Sequence, residues 1–318
     1  MYAFYFILFT VYVAVAIPAN LLSLQRIYEN DKLHFNLDES VNANSFKEMD
    51  AKDTNRYLLF TRWNPTSSQV LVMGDVDTIT SSNFNPNIPT VVVAHGWLGN
   101  QNTNMNPVIR NAFLENGDYN VIILDWSRVS MGGYFSAIAE IPKVGQNLGQ
   151  FLSFLNKVTG VSFDSMHLVG FSLGSHVVGN AGREQNGRIA RVTGLDPISP
   201  IWYFNKNRLN KNDGIYVEVI HTNGGDSRVN MAIGDADFYP NGGSSQPGCS
   251  STVCNHNRSW ELFAATVTYN HLVGRECLSI EEISSNTCQG KLFEMGNGNI
   301  NKRGSGLYRL ETGSIYPF

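Results

Sequence analysis

The stretch MHLVGFSLGSHVVGNAG, from Met166 to Gly182, restricts the possible folds more than any other part of the chain. Residues 166–171 form the short apolar run of a buried strand, and from Leu173 onward small and apolar residues recur at helical spacing. A strand that turns at once into a helix needs a very tight corner. Gly170 and Gly174 let the backbone cross closely on either side of that corner, and Ser172 is left at its tip in a strained conformation. This is the G-x-S-x-G elbow that presents a serine nucleophile. The helix behind it points its first N–H groups at the same spot, which suits a developing anion. A plain Gly/Ser turn shares the five letters, so the flanking strand and helix and the partners of Ser172 carry the reading.

The surrounding pattern agrees with a strand–turn–helix unit. Apolar runs predict strands over 57–61, 70–73, 90–94, 121–125, 166–171, 192–195 and 215–220. Helical spacing predicts helices over 106–115, 136–158, 173–185 and 258–273. The order β-β-β-α-β-α-β-α-β-β predicts an α/β fold: a mainly parallel central sheet with helices on both faces. No internal repeat or low-complexity linker divides residues 54–318, which read as one domain. In such sheets chemistry sits beyond the carboxyl ends of the strands.

The N-terminus reads MYAFYFILFTVYVAVAIPAN, an apolar run ending in an Ala14-Val15-Ala16 cleavage pattern. The run from Tyr2 to Ile17 is 16 residues, short for a membrane span. Residues 1–16 are therefore expected to be a signal peptide, residues 17–53 a polar arm or propeptide, and the protein secreted. An oxidising compartment makes Cys249, Cys254, Cys277 and Cys288 disulfide candidates. Three connectivities are possible, and pairing of sequence neighbours is the expectation. The spacings lack the paired C-x-x-C form of a zinc site. The net charge of −4 and the absence of a basic run speak against nucleic acid as a partner.

Asp196 follows the predicted strand 192–195, in RVTGLDPISP, 24 residues after Ser172 and so one α–β unit on. It reads as an Asx-Pro turn or as the acid that orients a histidine. Three histidines follow. His271 lies inside the predicted helix 258–273 and reads as a packed or capping residue. His221 ends a strand, and His256 stands in a loop directly after Cys254. A loop position held by a disulfide can project an imidazole without a fixed strand direction, which favours His256 and leaves His221 a rival. The segment TVVVAHGWLGN, after the third predicted strand, is where a second oxyanion donor belongs. The N–H groups of Leu173 and Trp97 are the candidate donors; Gly96 allows close approach, and His95 reads as a structural residue of that loop.

VVVAHGW, NVIILDWS, HLVGFSLGSHVVGNAG, VTGLDPISP, VEVIHTN, DADFYPNGGSSQPGC and CNHNRSWELF, in this order, resemble the pancreatic lipase family, and look closest to arthropod secreted lipases and venom phospholipases A1. The resemblance runs from about Tyr57 onward. It implies an α/β-hydrolase fold, a Ser172–Asp196–His256 triad, Trp97 and Leu173 as oxyanion donors, and ester-bonded lipid at a membrane or micelle surface as substrate. Three departures stand out. The β-sandwich domain of longer members is not expected here, nor is colipase docking. NKNRLNKND aligns with a calcium site of the vertebrate enzymes; Arg208 and Asp213 fit, but Asn205 and Asn210 replace carboxylates, so neither a metal nor any other cofactor is expected. Finally, only Ser250, Ser251, Thr252 and Val253 separate Cys249 from Cys254, where family lipases carry a long lid. The expected activity is phospholipase A1, with triacylglycerol or galactolipid lipase as the alternative. A non-enzymatic yolk-type storage protein is the reading from another class. Asn257-Arg258-Ser259 is the one N-x-S/T sequon without proline at x, and is expected to carry no glycan because it adjoins His256.

Overall fold

Alternation along the strands decides the layering. In β1 (Arg56–Phe60), β3 (Thr90–Ala94) and β4 (Asn120–Asp125), Leu59, Val92, Ile122 and Leu124 face one core, and Leu58, Val91, Val93, Ile123 face the other. Both faces are apolar, so the sheet must be covered on both sides. One cover is α4 (Tyr134–Thr159) with α5 (Leu173–Glu184), which contribute Phe151, Leu152, Val177 and Val178. The other is α2 (Met105–Asn116) with α6 (Thr252–Tyr269), which contribute Ile109, Phe113, Leu262 and Phe263. The smaller helices are α1 (Val76–Thr80), α3 (Ser127–Ser130) and α7 (Ile280–Ser285).

The computed structural model describes residues 54–318 except 198–201, 203 and 225–230. The expected signal peptide and arm, residues 1–53, lie outside the described residues. Among those described, β2 (Gln69–Leu71), β5 (Met166–Phe171), β6 (Arg191–Leu195), β7 (Val217–Ile220), β8 (Ala236–Pro240), β9 (Val273–Cys277), β10 (Leu292–Glu294) and β11 (Gly306–Leu310) complete one sheet. Its order is β10-β9-β11-β8-β7-β6-β5-β3-β4-β1-β2. The centre is parallel from β4 to β11, with antiparallel pairs at both edges. This is the expected α/β-hydrolase architecture, and strands 90–94 and 166–171 fall where the sequence places them.

Two expectations are corrected. The helix expected over 258–273 runs from Thr252 to Tyr269. Ser251 caps it, its side chain accepting from Cys254 N, and Asn270 ends it in a left-handed conformation. His256 therefore projects from a helix, not a loop, and His271 lies beyond the helix end, its Nε2 3.0 Å from Pro317 O. The four strands β8 to β11 were not expected. Pro240 in β8 and Gly274 in β9 interrupt their apolar pattern, and several positions of β9 and β10 are exposed. The disulfides pair as expected, Cys249 with Cys254 and Cys277 with Cys288.

Candidate active site

The corner at Ser172 is as tight as its glycines require. A Cβ on Gly170 would collide with the Gly174 carbonyl, and one on Gly174 with the carbonyls of Ala94 and His95. Ser172 adopts φ 56°, ψ −125°, a conformation rare for a residue with a side chain. Its N–H donates to Leu195 O across to β6 at 2.9 Å, and its C=O accepts from Ser175 N at 3.0 Å. Leu173 is the first residue of α5 and is buried, so its N–H belongs to the helix terminus beside the serine.

The loop after β3 passes against this corner. A Cβ on Gly96 would stand 2.9 Å from Ser172 Cβ and 3.3 Å from the Phe171 ring. His95 is fully buried, with Nδ1 3.0 Å from Gly96 O, and its carbonyl accepts from the Trp126 indole at 2.8 Å. These contacts give His95 the structural role expected of it. Trp97 follows, its indole donating to Gly132 O at 2.9 Å and meeting Tyr134 edge-on. Leu98 N bonds Ser130 O at 2.9 Å. The loop that bears Trp97 is thus held at both flanks.

Asp196 and His256 come together although 60 residues apart. His256 Nδ1 lies 2.5 Å from Asp196 Oδ2. The other carboxylate oxygen accepts from Thr222 N at 2.8 Å and Asn223 N at 3.1 Å. Asp196 takes a left-handed φ of 46°, and its own N–H donates to Ile220 O at 2.8 Å. The His256 ring packs on Phe171, the residue before the serine, at 4.4 Å between centroids. All three side chains are buried, and all lie at the carboxyl ends of β5 and β6 or on α6 above them. The rival His221 is engaged elsewhere: its Nε2 lies 2.7 Å from Asp237 Oδ1. The Thr222 and Asn223 N–H groups escaped the sequence reading, because a backbone donor leaves no residue-type signal.

The segment aligned with a calcium site does not fit a divalent cation. Asp213 Oδ1 accepts from Arg183 Nε at 3.1 Å and from Asn210 Nδ2 at 3.2 Å. Its Oδ2 accepts from Arg183 Nη2 at 3.0 Å and from Asn210 N at 2.9 Å. A guanidinium already occupies the carboxylate, and amide side chains supply no further negative charge. Burial pushes the Asp213 carboxyl up to about 6, against the pull of Arg183. Among the described residues no cluster of three or more His, Cys, Asp or Glu could hold a metal ion.

Comparison with known proteins places this chain in a family. A family model described as Lipase matches residues 23–315. Pancreatic triacylglycerol lipase of Homo sapiens is 34% identical over 308 residues, covering 84% of this chain and 65% of that protein. Phospholipase A1 member A of Rattus norvegicus is 36% identical over 246 residues, covering 73% of this chain and 53% of that protein. Pancreatic lipase-related protein 2 of Homo sapiens is 31% identical over 261 residues, covering 73% and 56%. The chain thus spans between 53% and 65% of the length of these curated relatives. The match over residues 23–315 settles membership, and this chain belongs to the lipase family.

Proposed function

We propose that this chain is a secreted serine hydrolase of lipid esters that releases the sn-1 fatty acid of phospholipids. One observation carries the reaction type. The Asp196 carboxylate is bonded at one oxygen to two backbone N–H groups and at the other to His256 Nδ1, beside a strained serine. An acid so held keeps the His256 proton on Nδ1 and leaves Nε2 as the base. Nε2 takes the Ser172 Oγ proton as Oγ attacks the ester carbonyl. The N–H groups of Leu173 and Trp97 receive the oxyanion, which a helix start suits. Collapse returns the proton from His256 to the departing alcohol. Water, activated by the same base, then releases the fatty acid and restores Ser172.

The substrate class rests on the relatives, named for triacylglycerol and phospholipid, and on the short interval between Cys249 and Cys254. Ser250 and Ser251 in that interval are exposed, and Thr252 already starts α6. No room remains there for an apolar helix over the site, and a polar rim tolerates a charged or sugar head group. Identity to a triacylglycerol lipase keeps that substrate, with galactolipid, as the second reading. Fatty-acid release from phosphatidylcholine, galactolipid and triacylglycerol dispersions, compared side by side, decides. Phosphatidylcholine is expected to be fastest, with Ser172→Ala inactive on all three. A strong preference for triacylglycerol would replace phospholipase by lipase. An inert wild type that no serine-reactive phosphonate labels would move the protein to the storage-protein class.

A further inference from the structure

A second buried acid–histidine pair stands one strand away from the first. His221 follows β7, and three of its features are fixed to β8. Its Nε2 lies 2.7 Å from Asp237 Oδ1, its ring lies flat against Tyr239 at 4.5 Å between centroids and 7° between planes, and its N–H donates to Phe238 O at 2.8 Å. Asp237 is itself held: Oδ1 accepts from Ile233 N at 3.1 Å and Oδ2 from Gly234 N at 3.0 Å. The two residues after His221 are Thr222 and Asn223, whose N–H groups bind Asp196 Oδ1.

Buried Gln246 closes the arrangement from the other side. Its Nε2 donates to Thr222 O at 3.1 Å and to Pro240 O at 3.0 Å. Its N–H donates to the side chain of Asn255, the residue before His256, at 2.8 Å. One short segment is therefore clamped between the end of β8 and the start of α6, and it carries both donors to the acid.

We propose that His221 and Asp237 are positioning residues for the hydrolytic reaction. They hold the Thr222–Asn223 N–H pair on Asp196, so that one carboxylate oxygen is committed there and the other is turned to His256 Nδ1. This rests on the reading of Ser172, Asp196 and His256 as the catalytic triad. Neither His221 nor Asp237 need touch the substrate. Loosening the N–H pair lets the carboxylate rotate or accept a proton, and His256 then loses the partner that fixes its tautomer.

The test uses the full chain and a soluble p-nitrophenyl ester, so that lipid docking does not enter. Active sites are first counted with a serine-reactive phosphonate, and rates are expressed per labelled serine. His221→Ala and Asp237→Ala are expected to lower kcat about 10–100-fold, a range typical of groups that orient a reactive side chain, with KM unchanged. His221→Gln, whose amide Nε2 can reproduce the donation to Asp237, is expected to recover most of that loss. Where the alanine variants yield no folded protein, His221→Gln and Asp237→Asn decide, since both keep the size of the site. Asp237→Asn then falls in kcat and His221→Gln does not. An unchanged kcat per labelled serine in the folded variants, or a loss confined to KM, overturns the proposal. A wild-type protein that the phosphonate fails to label, or a fully active Ser172→Ala, overturns the triad reading instead.

Discussion

Ser172 is held at a backbone conformation that costs an L residue about 1–3 kcal/mol. Glycine adopts positive φ freely, at a chain-entropy cost of about 0.5–1 kcal/mol. Ser172→Gly and Ser172→Ala are both expected to abolish hydrolysis, with the glycine variant the more stable by about 1 kcal/mol in urea unfolding. An alanine variant at least as stable as the glycine one would mean that the corner stores no strain. Directly after His256, the Asn257 side-chain oxygen accepts from the Trp260 indole at 3.2 Å, on the first turns of α6. A glycan at Asn257 would stand beside His256. Protein made through a secretory pathway is expected to show no mass loss at Asn257 on glycosidase treatment; a loss there would contradict the proposed triad geometry. At this scale the sequence was informative where chemistry demands a residue type. Ser172 stands out by its flanking strand and helix, whereas Asp196 also reads as a turn residue and His256 is preferred over His221 through the family resemblance; the structure brings Asp196 and His256 together. Thr222 and Asn223 are invisible in sequence because any residue except proline could supply their N–H groups.

The loop after β6 and the start of α6 hold elements in place by different means. In the loop, Asp213 is buried against Arg183, and its carboxyl is raised from 3.8 to about 6. The folded state therefore binds this proton more tightly than the unfolded state does. Its contribution to stability is full below about pH 4 and is lost as pH rises through about 6. The melting temperature of wild type relative to Asp213→Asn is expected to be most favourable near pH 4 and to decline toward pH 7. A flat difference across that range would contradict the raised carboxyl. Calcium or a chelator is expected to leave the melting temperature unchanged. At α6 the Cys249–Cys254 bridge closes a sequence separation of 5, and Cys277–Cys288 one of 11. Chain-entropy reasoning assigns them about 2 and about 3 kcal/mol. The double serine variants are expected to lose stability in that order, measured in denaturant. Elements were legible where periodicity is strong. The central strands are buried on both faces, and α4 and α5 present one continuous apolar face. Strands β8 to β11 leave a weak local signal: Asp237 and Pro240 break the apolar run of the buried β8, β9 and β10 expose several positions, and tertiary pairing, not local pattern, makes them strands. The start of α6 was missed because Cys249, Ser250 and Ser251 read as a disulfide loop, although Ser251 is the residue that caps the helix.

For the molecule as a whole, the four residues between Cys249 and Cys254 set the expected response to a lipid surface. With no long amphipathic segment there to close over the site, the rate on a short-chain phospholipid is expected to rise smoothly through the critical micelle concentration. A sharp jump at that concentration would require a cover elsewhere on the protein. Among the described residues no helix is long and apolar enough to cross a membrane. The sheet order has a different consequence, one for the timing of synthesis. β11 lies between β8 and β9, pairing with both, yet among the described residues it comes after both of them in sequence. Ser172, Asp196 and His256 all leave the ribosome before Gly306–Leu310 does. Until that strand arrives, β8 keeps an open edge, and β8 is the strand that carries Asp237 and Tyr239. Arg258, on the helix of His256, also waits for its contacts with the Gly313 carbonyl and the Phe318 ring. A nascent chain stalled at residue 300 would hold Ser172, Asp196 and His256 and still lack the strand that completes the frame around them, so on the proposed reading hydrolysis waits for Gly306–Leu310 to emerge.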